Sequence, residues 1–258
     1  MQPMRVNVPV STLWAAPDRP RDVDALAIAD SPDMVGWLAA LDGHPDDAGD
    51  GNGRQGLHGR VESQLLAGEP VLVIAAPADT PDWVQVVCPW QPSEYDPRGY
   101  PGWLRRPHLI NDDTRARGEG PEDESWALTA DEVEQPVLAL ARRHLGLAYL
   151  WGGMSPLGLD CSGLVHLVHR ELGVVVPRDA NTQETASTRV DLDEVMPGDL
   201  YFFAHPGEAT HHVGIVTEPG WMVHAPERGH GIVEEPLDAN RQATLTAAGR
   251  MPMPRARS

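Results

Sequence analysis

One cysteine and two histidines in this chain have the types and the spacing for nucleophilic catalysis. Cys161 follows Asp160 at the head of a segment in which Leu164, Val165, Leu167, Val168 and Leu172 recur at helical spacing. Asp160 is therefore the expected N-cap, and Cys161 falls in the first turn. A thiol there feels the positive end of the helix dipole and nearby unpaired N–H groups, so its pKa is expected below the ordinary value of about 8.5. Downstream, HHVGIVTEPGWMVHAP (211–226) reads as a hairpin turning at Glu218-Pro219-Gly220. Alternation puts His212, Gly214 and Val216 on one face and His211, Val213 and Ile215 on the other, so only one of the paired histidines looks inward. With Thr217 facing Trp221 or its neighbour across the turn, His224 lands opposite Gly214 and diagonal to His212. A thiol nucleophile needs a base that takes and returns its proton and a third polar group that sets the base's tautomer; Cys161, His212 and His224 fill these roles.

Taken singly, each of these residues has a plainer reading as core or surface, and Cys88, after Val86 and Val87, reads as a buried strand residue. A zinc reading draws on His166 and His169, three residues apart on the same helix, and on His205, His211 and His212 nearby. It is the weaker one, because the chain lacks a pattern such as HExxH and a lone cysteine seldom makes a zinc site. No metal and no cofactor is expected.

The elements that must position these residues divide the chain. At 258 residues with 41% hydrophobic content it suits one large or two ordinary domains. Its 20 Arg and no Lys stand against 38 Asp plus Glu, a net charge of −18 that disfavours nucleic acid and anionic membranes as partners. Two cysteines cannot build a disulfide framework, which favours a reducing compartment, so the cytoplasm is expected. The N-terminus alternates like a strand and lacks the basic and apolar blocks of a secretory signal.

Residues 1–110 read as mostly β. Val6, Val8 and Val10 alternate in a first strand, while Val71 with Val73 and Val84 with Val86 mark two more, in keeping with a small barrel of roughly five to seven strands. An amphipathic helix over Pro32–Leu41, with Met34, Val35, Leu38 and Leu41 on its face and a Ser31 cap, is inserted between strands. The stretch 42–59 is rich in Gly and Asp and is assigned no structure. Gly68 and Pro101-Gly102 read as turns. Residues 111–128 are charged and aperiodic, as expected of a linker. In 129–258, Thr129 and Glu132 have capping-box spacing, Val137, Leu138, Ala141 and Leu145 form an apolar face, and Pro136 is expected to delay or kink that helix. Strands follow at 199–204, 213–217 and 221–225, an α-then-β order.

Residues 130–237 resemble the NlpC/P60 family of papain-like cysteine peptidases, through YLWGG, LDCSGLV, PRDANTQ, MPGDLYFF, HHVGIV and VHAP in the family's order. Residues 66–104 resemble a bacterial SH3-type barrel through LAGEPVLVI, DWVQV and GYPGWL. The expected fold is thus an α+β papain-like catalytic domain preceded by an all-β SH3-type barrel. The resemblance implies Cys161 as nucleophile, His212 as base and His224 as its orienting partner, with Tyr149 near the oxyanion and Trp151, Asp160 and Ser162 lining the cleft. It also implies Glu62 and Tyr100 as the carboxylate and phenol that hold a free N-terminal amine.

Relatives of this architecture cut between γ-D-glutamate and a diamino acid in cell-wall peptides with a free N-terminal L-Ala. The resemblance therefore implies an endopeptidase acting on murein peptides in wall turnover or recycling; the sequence does not fix the oligomeric state, for which a monomer is the default. Two alternatives stand beside it: an exported hydrolase of intact wall, and a non-catalytic wall-binding protein.

Overall fold

The computed structural model describes residues 1–44, 49, 51–112, 135–227 and 231–252. The capping box at Thr129 and Glu132 and most of the expected linker lie outside the described residues, as does part of the stretch 42–59. The described residues form two compact units, one of residues 1–112 with 150–159 and the other of residues 135–149 with 160–252.

The first unit is all-β apart from one α-helix and short 3₁₀ turns. Its strands are β1 (Gln2–Val6), β2 (Val10–Trp14), β3 (Val61–Leu66), β4 (Pro70–Ala75), β5 (Trp83–Cys88), β6 (Tyr100–Arg105) and β7 (Leu109–Asn111), paired in the order β3-β2-β6-β5-β4-β1-β7. No ladder joins β3 to β7 among the described residues, so backbone pairing does not close the expected barrel. The valines at 6, 8 and 10 span a break between β1 and β2 rather than one strand. Pro9 has no N–H to give a ladder, and the groups at the break are taken elsewhere: Gly68 N–H donates to Val6 O and Asn7 N–H to His108 O, both at 2.8 Å. Pro101-Gly102 is likewise no turn. Register runs unbroken from Trp83↔Arg105 to Cys88↔Tyr100, and this pairing outweighs the local turn propensity.

Helix α1 (Met34–Asp42) is capped by Asp33, whose carboxylate accepts from Gly36 N–H at 2.8 Å, and not by Ser31. Its buried stripe is Met34, Trp37, Leu38 and Leu41, the i, i+3, i+4, i+7 set, which leaves Val35 66% exposed. That stripe joins Trp14, Leu57, Val61 and Leu150 in one apolar cluster. Each such large side chain contributes roughly 1.5–3 kcal/mol by leaving water. A second cluster, with Val6, Leu13, Leu65, Val71, Val84 and Leu104, fills the sheet.

The segment Leu150–Leu159 carries a small hairpin, β8 (Met154–Ser155) with β9 (Gly158–Leu159). The turn at Trp151-Gly152 that precedes β8 needs glycine at 152, where φ is +74° and a Cβ would come within 2.6 Å of Val61 Cγ1.

The second unit is mixed α/β. It contains α2 (Pro136–Arg142), α3 (Cys161–Glu171), α4 (Ala180–Ala186) and α5 (Ala239–Thr244). Its antiparallel sheet runs β10-β15-β11-β12-β13-β14, from β10 (Thr188–Val190), β11 (Leu200–Phe203), β12 (His212–Glu218), β13 (Trp221–His224), β14 (Val233–Pro236) and β15 (Leu245–Arg250). Pro136 opens α2 at its first turn, where a missing N–H costs nothing, and does not kink it. The polar stretch at 178–188, which lacks apolar periodicity, nevertheless forms α4. Helix α3 packs against β12 and α2, and Val195, Tyr201, Phe203, Val216, Met222, Leu237 and Ala248 form a core cluster in this unit. No helix of the described residues is long and apolar enough to cross a membrane.

Candidate active site

The site is assembled by α3 and the β12–β13–β14 part of the sheet. Asp160 caps α3 by accepting from Gly163 N–H at 2.6 Å, which places Cys161 at the first helical position. The same carboxylate is held in a two-point pair by Arg178, Nη1 to Oδ1 at 3.0 Å and Nη2 to Oδ2 at 2.6 Å. Arg178 Nη1 also donates to Ser162 Oγ at 3.0 Å. Gln183 on α4 donates to Ser162 O at 2.9 Å and to Pro177 O at 2.8 Å, tying α4 to the cysteine's neighbour. Asp160, Ser162, Arg178 and Gln183 are all buried, so these bonds replace lost hydration.

The Cys161 thiol is 8% exposed, and its pKa is pushed up to about 12, against the expectation from its helix position. Burial is the chief cause, and the Asp160 carboxylate adds to it; N–H groups of Val213 and Ser162 and the Arg178 guanidinium act the other way without prevailing. Those backbone donors matter for geometry as well. Val213 follows His212 on β12, so its N–H bond to the sulfur places the thiol beside that strand's first residues.

His212 is buried and His211 exposed, as one strand face in and one out requires. His212 Nε2 and His224 Nδ1 are 2.8 Å apart, with the two rings edge to face at 5.0 Å between centroids. The hairpin register is shifted between Val216 and Glu218, and Glu218 rather than Thr217 faces Trp221. Gly214 leaves the room between the strands: a Cβ there would lie 2.4 Å from Met222 Sδ and 3.2 Å from His224 Cβ. Burial holds His212 well below the usual imidazole range, and the Arg241 guanidinium, with the His224 and His211 rings whenever they are protonated, acts in the same direction. His224 is lowered too, chiefly by burial, while a hydrogen bond from its Nε2 to Glu235 Oε1 at 3.0 Å acts to raise it. At neutral pH the resting set is a thiol and two neutral imidazoles.

Tyr149 is partly buried, and its phenol is pushed above the ordinary range, first by burial and then by Cys161 and Asp160. It is thus a neutral O–H donor in the electrostatic neighbourhood of the thiol. Glu62, Tyr100 and Trp151 belong to the first unit. Tyr100 Oη donates to Glu62 Oε2 at a long 3.4 Å, and Trp151 Nε1–H donates to Val61 O at 2.9 Å while its ring stacks on His58 at 3.8 Å. His166 and His169 are buried along α3, and no group of three or more His, Cys, Asp or Glu among the described residues is placed to hold a metal ion.

Two contributors were not assigned from sequence. Arg178 stands in the PRDANTQ block, and a lone arginine beside a proline in an otherwise polar stretch carries no local sign that it will be buried. Glu235 sits on β14, a strand without an alternation signal, and only the β13–β14 register brings it to His224.

Similarity to known proteins follows the same lines. The profile of the NlpC/P60 family matches residues 146–250. The gamma-D-glutamyl-L-lysine dipeptidyl-peptidase of Bacillus subtilis (strain 168) is 31% identical, over 86% of this chain and 90% of its own. That of Bacillus cereus (strain ATCC 10987 / NRS 248) is 25% identical over 90% and 86%. The crystal structure of an NlpC/P60 family protein from Bacillus cereus ATCC 10987 has the same fold, with a TM-score of 0.80 at 23% identity and coverage of 98% of this chain and 100% of that one.

Proposed function

This chain belongs to the NlpC/P60 family of cysteine peptidases, and on that premise we propose that it hydrolyses the γ-D-glutamyl to L-diamino acid bond of short cell-wall peptides. Cys161 is the nucleophile, His212 the base and His224 the group that orients it. The observation that carries this reading is the hydrogen bond between His212 Nε2 and His224 Nδ1 in a site where the next residue's N–H binds the Cys161 sulfur. With Nε2 occupied, Nδ1 is the nitrogen of His212 left to exchange protons.

The thiol proton passes to His212 Nδ1 as the sulfur attacks the γ-carbonyl carbon, since a thiol with a raised pKa is not pre-ionised. The Cys161 N–H and the Tyr149 hydroxyl steady the resulting oxyanion. His212 then returns the proton to the leaving amine of the diamino acid, giving a thioester. Water, deprotonated by His212, attacks that thioester, and the γ-carboxylate leaves with the thiol restored.

The reading extends to the rest of the chain. The seven short antiparallel strands between Gln2 and Asn111 support an SH3-type module at 1–110 before a papain-like domain at 129–258. Glu62 and Tyr100 have the chemistry to receive the ammonium of an unblocked L-Ala, and we assign Trp151, Asp160 and Ser162 to substrate binding. Both cysteines are free thiols, which fits a cytoplasmic recycling setting. The names of the two Bacillus relatives point to the same bond and to release of a dipeptide.

The test is incubation with L-Ala-γ-D-Glu-L-Lys, its diaminopimelate counterpart and the N-acetylated forms of both, with products identified by mass. Release of L-Ala-γ-D-Glu from the free peptides is expected. No product from either free peptide overturns the reaction, and equal cleavage of the acetylated forms overturns the recycling specificity in favour of a hydrolase of intact wall. Glu62→Gln is expected to cost about ten- to hundredfold in kcat/KM on free peptides, the worth of one charge-assisted hydrogen bond, and far less on acetylated ones. Equal losses on both would reduce Glu62 to a structural part.

A further inference from the structure

We infer that Glu235 is a positioning residue: by accepting from His224 it sets the direction of the His224–His212 hydrogen bond and keeps His212 Nδ1 unprotonated. The inference rests on the proposed roles of Cys161 and His212.

Two neutral imidazoles facing each other across 2.8 Å can share one proton in either sense. If His212 Nε2 donates, its Nδ1 carries a lone pair and can take the thiol proton. If His224 Nδ1 donates instead, neutral His212 must hold its proton on Nδ1, and the site has no base. An amide in place of His224 would have fixed donor and acceptor ends, whereas a histidine has not, so a further group must choose.

Glu235 is placed to choose. An ionised carboxylate only accepts, and its Oε1 lies 3.0 Å from His224 Nε2, so the proton of neutral His224 stays on Nε2 and its Nδ1 is left to accept from His212. Pairing of β13 with β14 sets Glu235 opposite Met222, which puts it diagonal to His224 on the same sheet face. Alternation turns its neighbour Glu234 to the other face, where Arg142 binds it through Nε at 2.9 Å and Nη2 at 2.7 Å. Two consecutive acids are thereby sorted, one to a cation and one to the histidine pair. The Glu235 side chain is 48% exposed, so its hold is partly screened.

The experiment reads the imidazole nitrogens directly. Long-range ¹H–¹⁵N NMR on the full chain is expected to show His212 protonated at Nε2 and bare at Nδ1 in the wild type, a mixture of tautomers in Glu235→Ala, and the wild-type pattern in Glu235→Asp. A base in the wrong tautomer is disabled, but Glu235 acts one imidazole away and half in water, so kcat of Glu235→Ala should fall about tenfold with KM unchanged. In a His224→Gln background, where no tautomer remains to be chosen, the same substitution should cost nothing further. An unchanged His212 tautomer in Glu235→Ala, an unchanged kcat, or a full tenfold loss persisting in the His224→Gln background overturns the inference. Failure of the peptidase reading is a separate result, absence of product from the wild type, because the tautomer is read without turnover.

Discussion

Cys88 and Cys161 are both free, both buried, and both have thiols pushed up by loss of water, yet their surroundings differ in kind. Cys88 ends β5 opposite Tyr100 inside the apolar cluster of the first sheet, and the charged group that acts on it is the Glu69 carboxylate, which raises it further. Cys161 starts a helix, receives N–H bonds at sulfur from Val213 and Ser162, and has a guanidinium close by. Burial therefore does not distinguish Cys161, the proposed nucleophile, from Cys88. Donors at the sulfur do, together with an imidazole whose other nitrogen is already engaged.

The largest expected effect sharpens this contrast at the sulfur itself. Cys161→Ala should lower kcat/KM by about 10⁴-fold or more, and iodoacetamide should modify Cys161 ahead of Cys88 at neutral pH, with both rates climbing as pH rises towards the raised thiol pKa. Activity surviving in Cys161→Ala would erase the distinction between the two cysteines. On β12 the comparison extends to neighbours: His212→Ala should cost about 10³-fold or more in kcat, His224→Gln about tenfold because an amide still offers a partner, and His211→Ala less than about twofold. Equal losses at His211 and His212 in the same peptide assay would mean that the strand presents its other face to the thiol.

Stability separates the regions next. Arg178→Met leaves the Asp160 carboxylate buried without its cation, and urea unfolding should register a loss of about 3–5 kcal/mol. A change below about 1 kcal/mol would show that the pair contributes little beyond what a hydrophobic residue supplies. Acid should tell on the Cys161 helix too. His166 is pushed down to about 3, chiefly by burial and then by Arg170 and Arg178, and His169 is lowered as well. The unfolded chain takes up protons near the ordinary 6.5, so this stabilisation is complete above that pH and drains away as pH falls from 6.5 towards about 3. Melting temperatures between pH 8 and 5 should decline for the wild type and decline less steeply in His166→Leu, where the other lowered histidines remain. The smallest effect belongs to Cys88→Ala: unaltered turnover and a loss of roughly 1 kcal/mol from a small core cavity.

What the sequence alone determined was local. The spacing Asp160-Cys161-Ser162-Gly163 encodes its own cap, because an N-cap carboxylate reaches a backbone N–H only three residues on. Alternation along HHVGIV likewise required that only one of two adjacent histidines turn inward. Where the local readings failed, the causes differ: the Pro101-Gly102 turn lost to six ladder pairs with distant β5, whereas within one short segment the Ser31 cap lost to Asp33 and Val35 lost its place on the buried helix face to Trp37. Tertiary structure alone decided the electrostatics. The helix position of Cys161 predicts a depressed pKa, but the thiol is raised, since the desolvation of a closed site is a sum over neighbours brought from β12, α3 and the loop at Arg178. For the same reason Arg178 and Glu235 were not legible: each acts through a bond 18 or 11 residues away whose length is set by strand register and helix packing, and no window of sequence contains those distances.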